Sequence, residues 1–119
     1  MNINSDQTNL IKDINNLCLD FQNVYSEHLD DSNGEFLMHL LVADYTRLFA
    51  TLIYAKSSLK YANGFLEVLE NALINYSQDT IDIIYISFIE NLNKDARDFI
   101  KNSNYSNLKH ELNTYLKLR

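Results

Sequence analysis

The sequence predicts an all-α protein, a compact bundle of about five helices that forms a single domain over residues 1–119. Apolar residues recur at steps of three and four through most of the chain, which is the spacing of one face of an α-helix. The chain has no proline and only two glycines, so few positions force a helix to end. With 119 residues, 46% of them hydrophobic, the chain is long enough to bury one core without disulfides.

The first predicted helix covers about residues 5–28 and ends at a turn. The segment 30–34 reads Asp-Asp-Ser-Asn-Gly, a composition typical of turns. Ser32 stands three residues before Glu35, just ahead of an apolar run, which is the pattern of a capping box. This pattern predicts that a second helix starts here and continues to about residue 57. The apolar face of the first helix consists of Leu10, Ile11, Ile14, Leu17, Cys18, Phe21, Val24, Tyr25 and His28.

Three more helices are expected in the rest of the chain. The third covers residues 59–76, where Asn63-Gly64 predicts either a kink or a delayed start. The fourth follows the polar segment 77–79 and covers residues 80–102. Its run 83–89 is also typical of a buried strand, but no second strand is present to pair with it, so a helix is favoured. The last helix is short and starts near Tyr105.

Several features predict a soluble intracellular protein. The single cysteine, Cys18, lies on the apolar face of the first helix and is expected to be a small core residue, because one thiol cannot form an internal disulfide. The N-terminus lacks the basic and apolar regions of a signal peptide. The most apolar stretch, residues 36–55, contains His39, Asp44 and Arg47, so a buried core helix is favoured over a membrane span.

Acidic residues are concentrated in the first part of the chain. Residues 1–46 contain eight acidic residues and one lysine, a charge of −7, whereas residues 47–119 contain eight acidic and nine basic residues, a charge of +1. Asp6, Asp13, Asp20 and Glu27 recur every seven residues, which is nearly two helical turns. They are therefore expected to line one side of the first helix, and Asp30, Asp31 and Glu35 extend this acidic stripe around the turn.

The acidic stripe has two interpretations. It is either a solvated face that keeps the protein soluble, or a docking surface for a basic protein partner, whose association a one-signed field accelerates. Both interpretations disfavour nucleic acid as a ligand, because phosphates would be repelled. The candidate partner-binding residues are Asp13, Asp20, Glu27, Asp30, Asp31 and Glu35.

The sequence contains no pattern that indicates an enzyme, a metal site or a cofactor. The histidines are far apart, and Glu35 with His39 supplies only two ligands on one face. No glycine-rich phosphate loop is present. Polar residues within the apolar helices are instead expected to pair, because buried charges are costly when unpaired. We predict one buried structural network of Asp44, Arg47 and Glu90 between the second and fourth helices.

Two phrases of the sequence resemble a group of small bacterial proteins. Residues 35–48 (EFLMHLLVADYTRL) form an apolar helix with a D-x-x-R pair, and residues 86–92 (ISFIENL) follow about 40 residues later. This order and spacing is similar to that of immunity proteins of polymorphic toxin systems, including contact-dependent growth inhibition. The resemblance implies that residues shared with that group are framework, which here are Asp44, Arg47, Phe88, Glu90 and Asn91.

The resemblance also implies a function. It predicts a cytoplasmic antitoxin that binds the C-terminal domain of its cognate toxin stoichiometrically, without catalysis; many such toxins are nucleases with basic clefts. The acidic stripe lies mostly outside the resemblance, and its assignment as the interface depends on charge, with Tyr25 and Phe36 as candidate aromatic anchors or core residues. The alternatives are a helical adaptor that forms a homodimer through an apolar groove, and a small enzyme or metalloprotein.

Overall fold

A computed structural model of the chain describes residues 5–32, 34 and 37–118. Within these residues the all-α fold is confirmed, but it contains seven α-helices rather than about five. Two short 3₁₀ helices cover Lys56–Ser58 and Ile89–Asn91. The α-helices are α1 (Ser5–Asn15), α2 (Leu19–Asp31), α3 (Met38–Leu52), α4 (Leu59–Asn75), α5 (Gln78–Ser87), α6 (Lys94–Lys101) and α7 (Ser106–Lys117).

The first predicted helix is in fact two helices, α1 and α2, separated by residues 16–18. Asn15, a poor helix former, ends α1 and accepts a hydrogen bond of 2.6 Å from the buried Tyr45 hydroxyl. Leu17 packs against Gly64 of α4, where a Cβ atom would lie only 2.9 Å from Leu17 Cδ2. The half-buried Cys18 is extended and precedes α2. Packing against α3 and α4 therefore breaks a helix that periodicity alone predicts to be continuous.

The fourth predicted helix is also divided. Residues 83–89 are helical rather than extended, as predicted, but α5 ends at Ser87 and a 3₁₀ turn follows. α6 starts after Asn93, whose side-chain oxygen accepts a hydrogen bond of 2.8 Å from the Ala96 amide. Asparagine is a strong N-cap residue, so this break has a sequence signal that the apolar periodicity obscured.

The remaining helices differ from prediction mainly at their ends. α4 and α7 occupy the predicted positions, and Gly64 lies within a continuous α4. α3 ends at Leu52, earlier than predicted, where the Ser58 hydroxyl donates to the Leu52 carbonyl at 2.7 Å. The predicted capping box at the start of this helix depends on Glu35, which lies outside the described residues.

Five fully buried aromatic side chains form the centre of the core. Phe65 of α4 is 5.3 Å from Phe21 of α2, 5.5 Å from Phe49 of α3 and 5.6 Å from Phe88, measured between ring centroids. One ring therefore contacts three other parts of the bundle. Among the described residues, every fully buried side-chain nitrogen or oxygen has a hydrogen-bond partner. The five aromatic residues are Phe21, Tyr45, Phe49, Phe65 and Phe88.

Side chains from other helices bind the backbone amides where α5 and α7 begin. The Glu70 carboxylate of α4 accepts hydrogen bonds of 2.9 Å from the amides of Asn107 and Leu108 in the first turn of α7. Asp6 of α1 accepts one of 2.7 Å from the amide of Ser77, which precedes α5. The first amides of a helix have no partner within that helix. Glu70 binds two such amides of α7, and Asp6 binds the amide just before α5. A negative charge is also favourable near the N-terminus of a helix.

None of the helices in the described part of the chain is both long and apolar enough to cross a membrane.

We expect Glu70→Ala to lower the free energy of unfolding by about 1–2 kcal/mol, because the amides at the start of α7 lose a charged acceptor. Chemical denaturation of the purified protein measures this change. The matched control is Glu67→Ala, which removes an exposed carboxylate one turn earlier on α4 and is expected to change stability by less than about 0.5 kcal/mol. Equal effects of the two substitutions would contradict the capping role of Glu70.

Candidate functional site

The break between α1 and α2 divides the predicted acidic stripe. Asp6 and Asp13, on α1, lie near Tyr76, which follows α4. Burial raises the pKa of Tyr76, and these two carboxylates raise it further. Glu27 and Asp31, near the end of α2, lie instead beside α3. The four residues spaced by seven therefore do not share one continuous helix face: Asp6 and Asp13 lie on α1 near Tyr76, and Glu27 lies on α2 beside α3.

The first acidic region is a groove between α1 and α4, with a volume of about 360 Å³. Its acidic side chains are Asp13 and Glu67, and its apolar part includes Leu17 and Val68. Amides and a tyrosine complete the lining, which contains no basic side chain among the described residues and so suits a cationic side chain of a partner. We call this the α1–α4 groove; it is lined by Asp13, Asn16, Leu17, Gly64, Glu67, Val68, Asn71, Asn75 and Tyr76.

The second acidic region is a groove between α2 and α3, with a volume of about 390 Å³. Three carboxylates, those of Glu27, Asp31 and Asp44, line it together with the guanidinium of Arg47. Two of these carboxylates come from the predicted partner-binding set. We call this the α2–α3 groove; it is lined by Val24, Glu27, His28, Asp31, Asp44, Arg47, Leu48 and Thr51.

Asp44 and Arg47 form the predicted ion pair, one turn apart on α3. The pair is not buried, because the Arg47 side chain is 70% exposed and that of Asp44 is 30% exposed. It therefore lies at the groove wall, where solvent screening keeps its contribution to stability small.

Glu90 does not join this pair, which corrects the predicted three-residue network. The 3₁₀ turn after α5 buries Ile89 and leaves Glu90 exposed. The Glu90 carboxylate lies near Tyr85, whose pKa is raised first by burial and then by this charge. The second partner of Asp44 comes from α2: His28 Nδ1 lies 3.6 Å from Asp44 Oδ2.

His28 connects the end of α2 to the start of α3. Its side chain is buried, with only 4% of the residue surface exposed. Nε2 accepts a hydrogen bond of 3.2 Å from the Leu37 amide, so the neutral ring carries its proton on Nδ1, the nitrogen that faces Asp44. Burial lowers the pKa of His28, and the nearby Asp31 carboxylate opposes this shift.

The sequence placed His28 on the apolar face of the first helix, which agrees with its burial. Its polar role was missed, because nothing in the local pattern joins residue 28 to residues 37 and 44. The role depends on the angle at which α2 meets α3, which only the folded chain defines.

The remaining predicted partner-binding residues are Asp20, Asp30 and Glu35. Asp20 and Asp30 are exposed on α2, and neither lines either groove. Glu35 and the candidate anchor Phe36 lie outside the described residues. Tyr25, the second candidate anchor, is half-buried and packs against the core.

Three residues in the second resembling phrase, Ser87, Phe88 and Asn91, stabilise the end of α5 and its contact with the rest of the bundle. Phe88 is fully buried in the aromatic core. The Asn91 side chain donates a hydrogen bond of 2.8 Å to the Ser87 carbonyl at the end of α5. The Ser87 hydroxyl is itself 2.9 Å from His39 Nδ1 on α3.

Within residues 5–32, 34 and 37–118, no group of three histidine, cysteine, aspartate or glutamate side chains is arranged to hold a metal ion. Comparisons with protein-family models, with curated proteins and with solved structures give no significant match.

We expect stability to fall with pH below about 6.5, because His28 has a lower pKa in the folded than in the unfolded chain. The unfolded histidine takes up its proton first, so protonation favours unfolding until pH falls below the folded-state pKa. Above about pH 6.5 this contribution is constant. The slope is at most about 1.4 kcal/mol per pH unit, measurable by urea denaturation between about pH 5.5 and 8.

Two variants distinguish His28 from the other histidines. His28→Gln removes the titrating group and is expected to flatten the pH dependence. His110→Gln, which changes an exposed histidine on α7, is expected to leave it as in the wild type. A wild-type slope that persists in His28→Gln would assign the effect to another group.

Proposed function

We propose that this protein is an immunity protein that binds a basic toxin domain stoichiometrically and blocks it without catalysis. The observation that carries the proposal is the pair of acidic grooves, whose linings hold five carboxylates and one guanidinium. That guanidinium is already paired with Asp44. Both grooves therefore offer negative charge to a partner.

The physical chemistry of the two grooves suits recognition of basic side chains. A concave acidic surface accelerates the encounter with a positively charged partner, and close charge pairs then strengthen the complex. The α1–α4 groove adds amide groups and apolar surface around its carboxylates, which is the mixed composition typical of protein interfaces. Leu19, at the start of α2, is 66% exposed and is available for an apolar contact with a partner.

The resemblance in residues 35–48 and 86–92 supports the choice of a toxin domain as the partner. A nuclease is the favoured kind of toxin, because its substrate cleft must be basic to bind phosphates, and carboxylates on a rigid surface are complementary to such a cleft. In this proposal the protein acts in the cytoplasm, where it protects the cell that produces the toxin. Residues Phe88 and Asn91 support the fold, and the grooves provide the contacts.

A homodimeric adaptor is the second candidate. Leu40 on α3 and Ile86 on α5 are 56% and 49% exposed. Exposed apolar side chains of this size are the kind that a dimer interface would cover. Such a dimer would strengthen as salt rises, because the chain carries a net charge of −6 that opposes self-association at low salt.

The first experiment is co-purification of the tagged chain with the product of the neighbouring reading frame of its native operon. A basic protein recovered at one-to-one stoichiometry supports the immunity function, and a clean homodimer alone supports the adaptor function. The purified complex then allows the contribution of each groove to be measured.

We expect charge reversal in the grooves to slow association with the toxin domain by about tenfold, with a larger effect at about 0.01 M than at about 0.15 M ionic strength. The test variants are Asp13→Lys with Glu67→Lys, and Glu27→Lys with Asp31→Lys. Association rates from stopped-flow or biosensor measurements give the comparison.

The control is Glu90→Lys with Asp95→Lys, which makes the same charge change at exposed positions outside both grooves. A control pair that slows association as much as the groove pairs would indicate a general effect of net charge. If no variant changes association, the acidic grooves are not the interface.

A further inference from the structure

His28 occupies a position where protonation conflicts with its present hydrogen bonds. Its Nε2 is the acceptor for the Leu37 amide at 3.2 Å, and Leu37 is the residue that precedes α3. An imidazolium ion has two N–H donors and no acceptor, so a protonated ring would direct an N–H at the Leu37 N–H. On the other side of the ring, protonation is favourable, because Nδ1 lies 3.6 Å from a carboxylate oxygen of Asp44, which attracts a positive ring.

We propose that His28 is a proton-operated switch that releases the start of α3 and reshapes the α2–α3 groove. Protonation removes the acceptor for the Leu37 amide and turns the ring into a cation beside Asp44. The ring then moves toward the carboxylate that lines the groove, and the first turn of α3 loses its connection to α2. The consequence for partner binding rests on the proposed function, whereas the switch itself does not.

The charged groups around His28 determine how the switch responds. From α3 it faces Asp44 and Arg47, and from its own helix it lies near Glu27 and Asp31. With neutral His28 the groove contains three carboxylates and one guanidinium, a net charge of −2. The imidazolium would reduce this to −1, so the groove would offer half the net charge to a basic partner.

Burial and Asp31 act on the switch in opposite directions. Burial lowers the pKa of His28, which keeps the ring neutral at neutral pH, and the carboxylate of Asp31 opposes this shift. Asp31 is exposed on the last turn of α2, so it can be changed without disturbing the core. A substitution at Asp31 is therefore expected to change the pH at which His28 is half protonated without removing the His28–Leu37 hydrogen bond.

The test is an NMR titration of the full-length protein from about pH 8 to about pH 5, which follows the His28 ring nitrogens and backbone amide exchange. We expect the protection of the Leu37 amide, corrected for intrinsic exchange, to fall at least about tenfold as His28 titrates. The amide of Leu66, in the buried face of α4, is expected to lose only the protection that corresponds to the change in global stability measured by urea denaturation, and to remain more protected than Leu37 at each pH.

Three variants sharpen this test. His28→Gln retains an acceptor that cannot be protonated, so Leu37 protection is expected to become independent of pH. Asp31→Asn is expected to shift the midpoint of both His28 titration and Leu37 release to lower pH. His110→Gln is the control and is expected to leave both midpoints unchanged.

Two results would overturn the proposal. Leu37 protection that stays constant while His28 titrates would show that the ring does not control the start of α3. Equal protection of the Leu37 and Leu66 amides at each pH would show that both exchange by global unfolding instead of by a local release of the start of α3. Because no partner is present, either result is separate from the co-purification and association measurements that test the immunity function.

Discussion

Helix ends bound by side chains of neighbouring helices are the constraint on which this bundle depends. Its α-helices are short, between 8 and 17 residues, and helices of this length are marginal on their own in water. The aromatic core around Phe65 supplies the apolar driving force, but burial alone leaves the amides at each helix start without partners. Asp6, His28 and Glu70 supply acceptors at or just before α5, α3 and α7. Each contact fixes the position of one helix relative to another.

These contacts divide the acidic residues into two groups with different roles. Asp6 and Glu70 bind backbone amides and are therefore part of the fold. Asp13, Glu67, Glu27 and Asp31 line open grooves, where their charge faces solvent. The excess of acidic residues in the first part of the chain is thus only partly structural. Asp13, Glu27 and Asp31 form part of the negative surface that the proposed function uses.

Asp44 links the framework to this surface. Its ion pair with Arg47 follows from their positions on α3, and its contact with His28 follows from how α2 packs on α3. A residue expected to be buried framework therefore stands at the wall of a groove. Asp44 therefore has two roles: its carboxylate orients His28, and it contributes negative charge to the α2–α3 groove.

The sequence by itself determined the all-α class, the positions of α4 and α7, and the Asp44–Arg47 pair. These features depend on residues three or four apart, whose relative positions are fixed by the geometry of a single helix. The acidic character of the first 46 residues is likewise a property of composition. The helix at residues 83–89 was also correctly preferred, because a lone strand would have left its backbone without partners.

Only the tertiary structure decided where the long predicted helices break and which polar groups meet. The α1–α2 break depends on Leu17 fitting against Gly64, and the exposure of Glu90 depends on the turn after α5. The Asp6–Ser77 contact joins residues 71 positions apart, and the Glu70–Asn107 contact joins residues 37 apart. No local pattern encodes such pairs, because they exist only once the shared core has fixed the angles between the helices. For the same reason, the sequence gives the acidic charge of the surface, and the packing of α1 on α4 and α2 on α3 gives that surface its grooves.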